Sequence, residues 1–375
     1  MQMRSVILRE SGLPKPYSNS KPLKIELVEL TPPGPMEVLV KIKAAGVCHS
    51  DLSAINGDRP RPLPVALGHE ASGVVAAIGP SVEKVEVGDH VVMSFLPVCG
   101  HCSYCAEGRA SLCEPGYQAN AAGTLLSGGK HIRLRGYEIN HHSGVSAFSE
   151  YAVVSASSVV KVTKDIDLAT AALFGCAVMT GVGAVMNTCG VRPGRSVAVI
   201  GLGGVGLSAI LGAVASGASD IVAIDLIQAK LDLAKELGAT KTFLATSPNI
   251  VAQVKGATSG GVDYAIEMAG SKKAFELAYE ITRRGGMTAT AGLASANSRF
   301  EVSPLPLVGE ERTIKGSYMG SCVPSRDIPR YIDLYLKGKL PVDKLLSSTG
   351  PLDKINEVFD RLDRAEINRH LVLMD

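Results

Sequence analysis

Tryptophan is absent from the 375 residues, and aromatic residues make up only 5% of them. A surface that stacks nucleic-acid bases has little material here. Charge of one sign is also missing: 38 basic and 36 acidic side chains leave a formal charge of +2. Such a balance creates no field to gather nucleic acid or an anionic membrane, and no Lys/Arg run supplies a local patch. Near the start the apolar stretch runs only from Val6 to Leu8, too short for the core of a signal peptide. Eight cysteines are too few for a disulfide scaffold in a chain of this length. Their clustering points instead to metal in a reducing, cytoplasmic compartment.

Two uncharged runs, 168–191 and 196–219, are long enough to span a bilayer. Glycine breaks both repeatedly, and neither carries basic or aromatic anchors at its ends. They read as buried strands and helices, so neither membrane nor nucleic acid is expected as a partner.

Hydrophobic residues are plentiful at 46%, and glycine is abundant at 40, which suits a large α/β core. Residues 1 to about 165 read as short β segments, among them 38–47, 71–79, 87–94 and 149–155, with Pro/Gly clusters between. From about 178 the rhythm becomes strand–helix–strand. Strands are predicted at 196–201, 221–225, 262–270 and 287–293, and helices at 205–218, 229–239 and 273–285. That alternation argues for a doubly wound parallel sheet. Two amphipathic helices and a closing strand, His370 to Met374, end the chain. Residues 119–146 carry the least pattern and read as a loop or hairpin.

Cys99, Cys102, Cys105 and Cys113 stand in the pattern C-x2-C-x2-C-x7-C. Four thiolates this close can fold over one ion, and all-sulfur tetrahedral coordination suits structural zinc. A ferredoxin-type cluster would close with C-x3-C-P, whereas seven residues and then Glu114 follow here.

Gly201, Leu202, Gly203, Gly204, Val205 and Gly206 match G-x-G-x-x-G between a predicted strand and helix, and Asp225 ends the next strand 19 residues beyond Gly206. Gly201 permits the turn, Gly203 admits the pyrophosphate, and Gly206 lets helix pack on strand. The helix start offers amide N–H groups to phosphate. Asp225 would accept from the adenosine ribose and face any 2′-phosphate, so the expected cofactor is NAD.

Three weaker motifs remain: Cys48-His49-Ser50-Asp51, Gly68-His69-Glu70 and Gly175-Cys176. Two thiolates and an imidazole would leave zinc one open position, but spacing alone does not bring them together. Taken in order, CHSD, LGHEASG, the four-Cys lobe, GCAVMTG, GLGGVG with Asp225, and Arg369 resemble the zinc-dependent medium-chain alcohol dehydrogenase family over nearly the whole chain. The long form with the four-Cys lobe is most similar to the branch holding animal liver and glutathione-dependent formaldehyde dehydrogenases.

The resemblance implies a mainly β, GroES-like catalytic domain at 1–177, with the zinc lobe at 95–115. It implies a Rossmann-type NAD domain at 178–318 and a return to the catalytic domain at 319–375. Cys48, His69 and Cys176 would hold catalytic zinc, the second zinc of the chain. Glu70 would lie behind the metal, Asp51 would steady a ligand, and Ser50 would begin proton removal from the alcohol. His49 and Arg369 would contact pyrophosphate, Thr180 the nicotinamide, and Lys230 the ribose. The implied reaction passes a hydride between an alcohol, primary favoured, and NAD, in a cleft between the domains. The family is commonly a homodimer.

The sequence also departs from this branch. Ser53 stands where the liver enzymes' proton relay ends in His. Arg59 and Arg61 replace acidic residues, and Tyr117 replaces an Arg, which demotes a thiol-adduct formaldehyde dehydrogenase to the alternative. Phe95 corresponds to a pocket wall. His142 and Ser143 replace apolar pocket residues, which suggests a pocket able to accept a second polar group.

Overall fold

The computed structural model describes residues 1–295 and 297–374. The chain forms two compact units. The first comprises Met1–Cys176, Val323–Leu336 and the segment from Leu346 onward; the second comprises Ala177–Cys322 and Lys337–Leu345. The segment expected to return from 319 therefore does so in two pieces. Lys337–Leu345 stays with the second unit because Leu340, Val342 and Leu345 bury their side chains there.

The first unit is mainly β. Gln2–Leu8, Leu23–Leu30, Ile132–Leu134, Tyr137–His141 and Val65–Ala66 close a small barrel. A seven-stranded sheet runs in the order Val159–Lys161, His90–Met93, Ala71–Ile78, Glu37–Val47, His370–Leu373, Ser348–Pro351, with Tyr151–Ser155 also paired to Glu37–Val47. Along Glu37–Val47 apolar residues alternate and then run together at Ala44, Ala45 and Val47, all buried. That change of pattern marks a strand covered on both faces at its far end. Its core includes Val38, Val40, Ile42, Phe148 and Phe359. The stretch at 119–146, expected to be loop or hairpin, holds the end of a helix, Glu114–Ala122, then the hairpin Ile132–Leu134/Tyr137–His141. Gly123 at φ 69° stops that helix in the left-handed conformation glycine adopts without strain.

The second unit carries a six-stranded parallel sheet: Lys241–Leu244, Asp220–Asp225, Ser196–Ile200, Val262–Glu267, Thr282–Thr290, Thr313–Gly316. Numbered in chain order these strands run 3-2-1-4-5-6, the Rossmann order. Ser196–Ile200 is buried throughout, as a central parallel strand must be. The uncharged run at 168–191 forms two helical stretches, Leu168–Gly175 at the end of the first unit's opening segment and Ala177–Cys189 in the second, with most side chains buried. No single helix among the described residues is long and apolar enough to cross a membrane.

Candidate active site and zinc centres

Strand pairing assembles the first centre within the first unit. Glu37–Val47 ends at Cys48, which caps the start of the helix His49–Ile55. Next to it, Ala71–Ile78 pairs antiparallel, with Ala45 opposite Ala71, and places His69 and Glu70 beside Cys48. On the other side His370–Leu373 pairs with His370 opposite Val47, which delivers Arg369. Gly68 turns the chain into His69 at φ 94°, where a Cβ would lie 2.4 Å from the Phe148 nitrogen. Cys176 follows the short turn Leu173–Gly175.

The result is a buried group of Cys48, His69, Glu70 and Cys176 whose ligand atoms all lie within 4.8 Å of one another. His69 Nδ1 lies 3.0 Å from Asp51 Oδ1. His69 Nε2 is buried without a hydrogen-bond partner. An orphaned imidazole nitrogen facing two thiols is costly unless something binds it, and it fits a metal ligand oriented through its other nitrogen. The hydrogen bond between Cys48 and Cys176 is the largest influence on both thiols. It holds Cys48 well below the ordinary thiol value and pushes Cys176 well above its own. One proton is shared where a cation can replace it. Burial would lower His69, but the Asp51 charge and then Cys48 raise it well above the usual imidazole value. Burial would raise Asp51; His69 and His142 hold it well below the carboxylate range instead.

Behind this group Glu70 is fully buried and pairs with Arg369 Nη2. Burial pushes the Glu70 carboxyl up to about 7, although Arg369 opposes it. Arg369 is only 2% exposed, so its guanidinium is committed to the metal-side carboxylate. Gly46 makes room for the pair: a Cβ there would lie 2.7 Å from Glu70 Cδ and 2.9 Å from Arg369 Nη2. Sequence reasoning did not single out Gly46 or join Glu70 to Arg369, because the two charges lie almost 300 residues apart.

Around the ligands, Phe95 and His142 both set their rings edge-on to His69, at 5.7 and 5.4 Å. Burial holds His142 below its ordinary value. Ser50 is half-buried on the helix that starts after Cys48. Ser53 donates to the His49 carbonyl at 2.9 Å, which ties that side chain to its own helix.

The second centre is the four-Cys lobe. Cys99, Cys102, Cys105 and Cys113 also offer sulfurs within 4.8 Å of one another. Cys102 and Cys105 Sγ are 3.4 Å apart and all four cysteines are free, well beyond the 2.05 Å of a disulfide. The Cys99 amide donates to Cys113 Sγ at 3.2 Å and the Cys102 amide to Cys99 Sγ at 3.3 Å. Amide donors of this kind stabilise thiolates. The donor set fits a closed tetrahedral zinc site.

In the second unit Gly201 adopts φ 93° at the end of Ser196–Ile200, and the helix Gly204–Ala215 begins directly after Gly203. A Cβ on Gly206 would lie 1.9 Å from the Gly201 carbonyl oxygen, so only glycine allows this close turn. Gly203 meets nothing within 4 Å of such a Cβ, which leaves open space at the helix start. Asp225 accepts from the Leu202 amide at 2.6 Å and the Ile227 amide at 3.0 Å. Lys230 is half-buried on the helix Gln228–Glu236 and Thr180 is buried on Ala177–Gly183.

Comparison with known proteins agrees with this architecture. Residues 34–164 match the alcohol dehydrogenase GroES-like domain and residues 204–337 the zinc-binding dehydrogenase family. The chain is similar to alcohol dehydrogenase class-3 of Caenorhabditis elegans, 37% identical over 96% of this chain and 95% of that protein. Among solved structures, an alcohol dehydrogenase zinc-binding domain protein from Burkholderia ambifaria superimposes with a TM-score of 0.94 at 32% identity, covering 100% of this chain and 99% of the other. Benzyl alcohol dehydrogenase from Acinetobacter calcoaceticus gives 0.93 at 32% identity, with both chains covered completely. With a GroES-like unit, a Rossmann unit, a four-Cys centre and a Cys/His/Glu centre, the chain belongs to the zinc-dependent medium-chain alcohol dehydrogenase family of nucleotide-dependent oxidoreductases.

Proposed function

We propose that Cys48, His69 and Cys176 hold the catalytic zinc of an NAD-dependent alcohol dehydrogenase favouring primary alcohols. The observation that carries this is the meeting of two thiols with the unpartnered His69 Nε2, while Nδ1 of the same ring is tied to Asp51. When bound, zinc would supply a Lewis acid that acidifies the alcohol hydroxyl, and the nicotinamide would supply the hydride acceptor. Asp51 fixes the His69 ring. Glu70, neutralised by Arg369, puts no uncompensated charge behind the metal. Ser50 would accept a hydrogen bond from the alcohol hydroxyl and begin the removal of its proton by giving up its own toward solvent. Phe95 and His142, edge-on to His69, would wall the metal side of a substrate pocket. Cys99, Cys102, Cys105 and Cys113 hold the second, structural zinc.

For the dinucleotide, Gly201, Gly203, Gly204, Val205 and Gly206 present the helix start to pyrophosphate. Asp225 and Lys230 take the adenosine ribose, and Thr180 packs by the nicotinamide. His49 contacts pyrophosphate. The pyrophosphate contact implied for Arg369 would compete with its pairing with Glu70. Asp225 supports NAD over NADP, because its carboxylate would repel a 2′-phosphate.

Exposed Leu305 and Val308, beside the edge strand Thr313–Gly316, support a homodimer. Eight free cysteines suit the cytoplasm. Tyr117, 68% exposed at the position of the expected Arg, supplies no cation for a glutathione adduct.

The test is NADH formation by purified protein on primary, aromatic and secondary alcohols, with and without glutathione, alongside zinc analysis. Turnover of simple alcohols with about two zinc per chain is expected. Turnover only of a formaldehyde–glutathione mixture would reverse the substrate assignment. Undiminished turnover after replacement of Cys48 by Ser would refute the metal site.

A further inference from the structure

We propose that His142 is a positioning residue for the catalytic zinc, acting through the Asp51 carboxylate on the ligand His69. This rests on the assignment of Cys48, His69 and Cys176 as the zinc ligands. Three nitrogens converge on one oxygen, Asp51 Oδ1: the Gly68 amide at 3.3 Å, His69 Nδ1 at 3.0 Å and His142 Nδ1 at 3.2 Å. The His142 contact lies slightly out of hydrogen-bond alignment. No other acceptor serves that ring among the described residues, since neither nitrogen of the buried His142 has a hydrogen-bond partner. The other carboxylate oxygen, Asp51 Oδ2, is also buried and unpartnered. Asp51 is therefore gripped through a single oxygen and is free to pivot about it unless that oxygen is held from more than one direction.

His69 alone cannot do this, because it is the group being oriented, and the Gly68 bond is long. His142 approaches with its ring at 88° to the His69 plane. The two N–H vectors from perpendicular rings define the oxygen's place and, through it, the direction of His69 Nε2. His142 is itself anchored by its backbone: its N–H donates to Ser146 Oγ at 3.0 Å and to the Ala66 carbonyl at 3.2 Å. Both histidine Nδ1 atoms face the same carboxylate oxygen of Asp51. A carboxylate–histidine–metal chain of this type controls how tightly the ion is held.

The experiment compares wild type, His142→Leu and His142→Asn, each loaded with zinc, in competition with a chromophoric chelator. The four-Cys zinc in the same molecule is the internal reference. The catalytic zinc should be held about tenfold less tightly in His142→Leu, the scale seen when such outer partners are removed, and within about threefold of wild type in His142→Asn, whose amide restores a donor at the Nδ1 position. Cobalt substituted at the catalytic centre should give a shifted visible band in His142→Leu and a near-native one in His142→Asn. The proposal is overturned if His142→Leu keeps wild-type affinity and spectrum, if His142→Asn loses as much as His142→Leu, or if the four-Cys zinc loosens equally. A wild-type protein that binds one zinc only would instead overturn the assignment of the ligands themselves.

Discussion

Replacing Arg369 by Leu should reveal how much the buried pair contributes. In the native protein Arg369 and Glu70 are 2% and 0% exposed, and each is the other's main neutralising partner. Removing the guanidinium leaves the Glu70 carboxyl buried beside the Cys48 sulfur with little to oppose burial, so it stays charged at full desolvation cost or takes up a proton. Breaking a buried ion pair by deleting one partner costs about 3–5 kcal/mol, because the remaining charge stays desolvated. For a unit of this size about 1 kcal/mol moves the melting midpoint by roughly 2–4 °C, so the expected fall is roughly 6–20 °C. Replacing both partners by Leu removes the stranded charge and should recover most of that loss, since apolar replacements of whole pairs are often close to neutral. The assay is thermal unfolding of wild type, both single variants and the double variant, read as a double-mutant cycle. Strong coupling supports a structural pair. A single Arg369→Leu variant that melts within a degree of wild type, or a double variant whose loss equals the sum of the singles, refutes the reasoning. A raised KM for NAD with unchanged melting would move the role of Arg369 wholly to the dinucleotide.

Three further outcomes are expected. Gly206→Ala puts a Cβ 1.9 Å from the Gly201 carbonyl oxygen; displacing that turn by an ångström should lower kcat/KM for NAD by about 100-fold, with zinc content unchanged in metal analysis. Cys113→Ser removes one of four sulfurs from the lobe and should lower bound zinc from about two to about one per chain while leaving the catalytic cobalt spectrum in place. Burial holds His141 down to about 3, so the unfolded chain binds a proton that the folded one refuses. Stability should then fall by about 1.4 kcal/mol per pH unit below about 6.5, and melting of His141→Gln should depend less on pH between 6.5 and 4.5 than melting of wild type.

Local patterns carried much of this protein openly. The four-Cys lobe spans so few residues that its sulfurs can only gather close together. The glycine fingerprint needs just one strand, one turn and one helix, and each has its own periodicity. The central strand of the second unit was equally legible, because continuous burial leaves an unbroken apolar run, and Glu37–Val47 in the first showed itself by alternation. Among the elements that escaped are Lys241–Leu244, Ile250–Ala257 and Thr313–Gly316. Two of these are the edges of the parallel sheet, the first half-exposed along its length and the last mostly exposed, so neither run nor alternation marks them.

The proposed catalytic centre belongs to tertiary structure. Cys48, His69, Cys176 and Arg369 each stand alone in sequence, and no periodicity links them; the motif order had suggested the three ligands only through family resemblance. Cys48, His69 and Arg369 meet because strands Glu37–Val47, Ala71–Ile78 and His370–Leu373 pair in one register, which a one-residue slip would destroy; Cys176 arrives separately, after the turn Leu173–Gly175. The same pairing decided what no motif could express: that Arg369 faces Glu70, and that His142 leans on Asp51. Side-chain type is written in the chain, but which charge neutralises which depends on distances that only the packed fold sets.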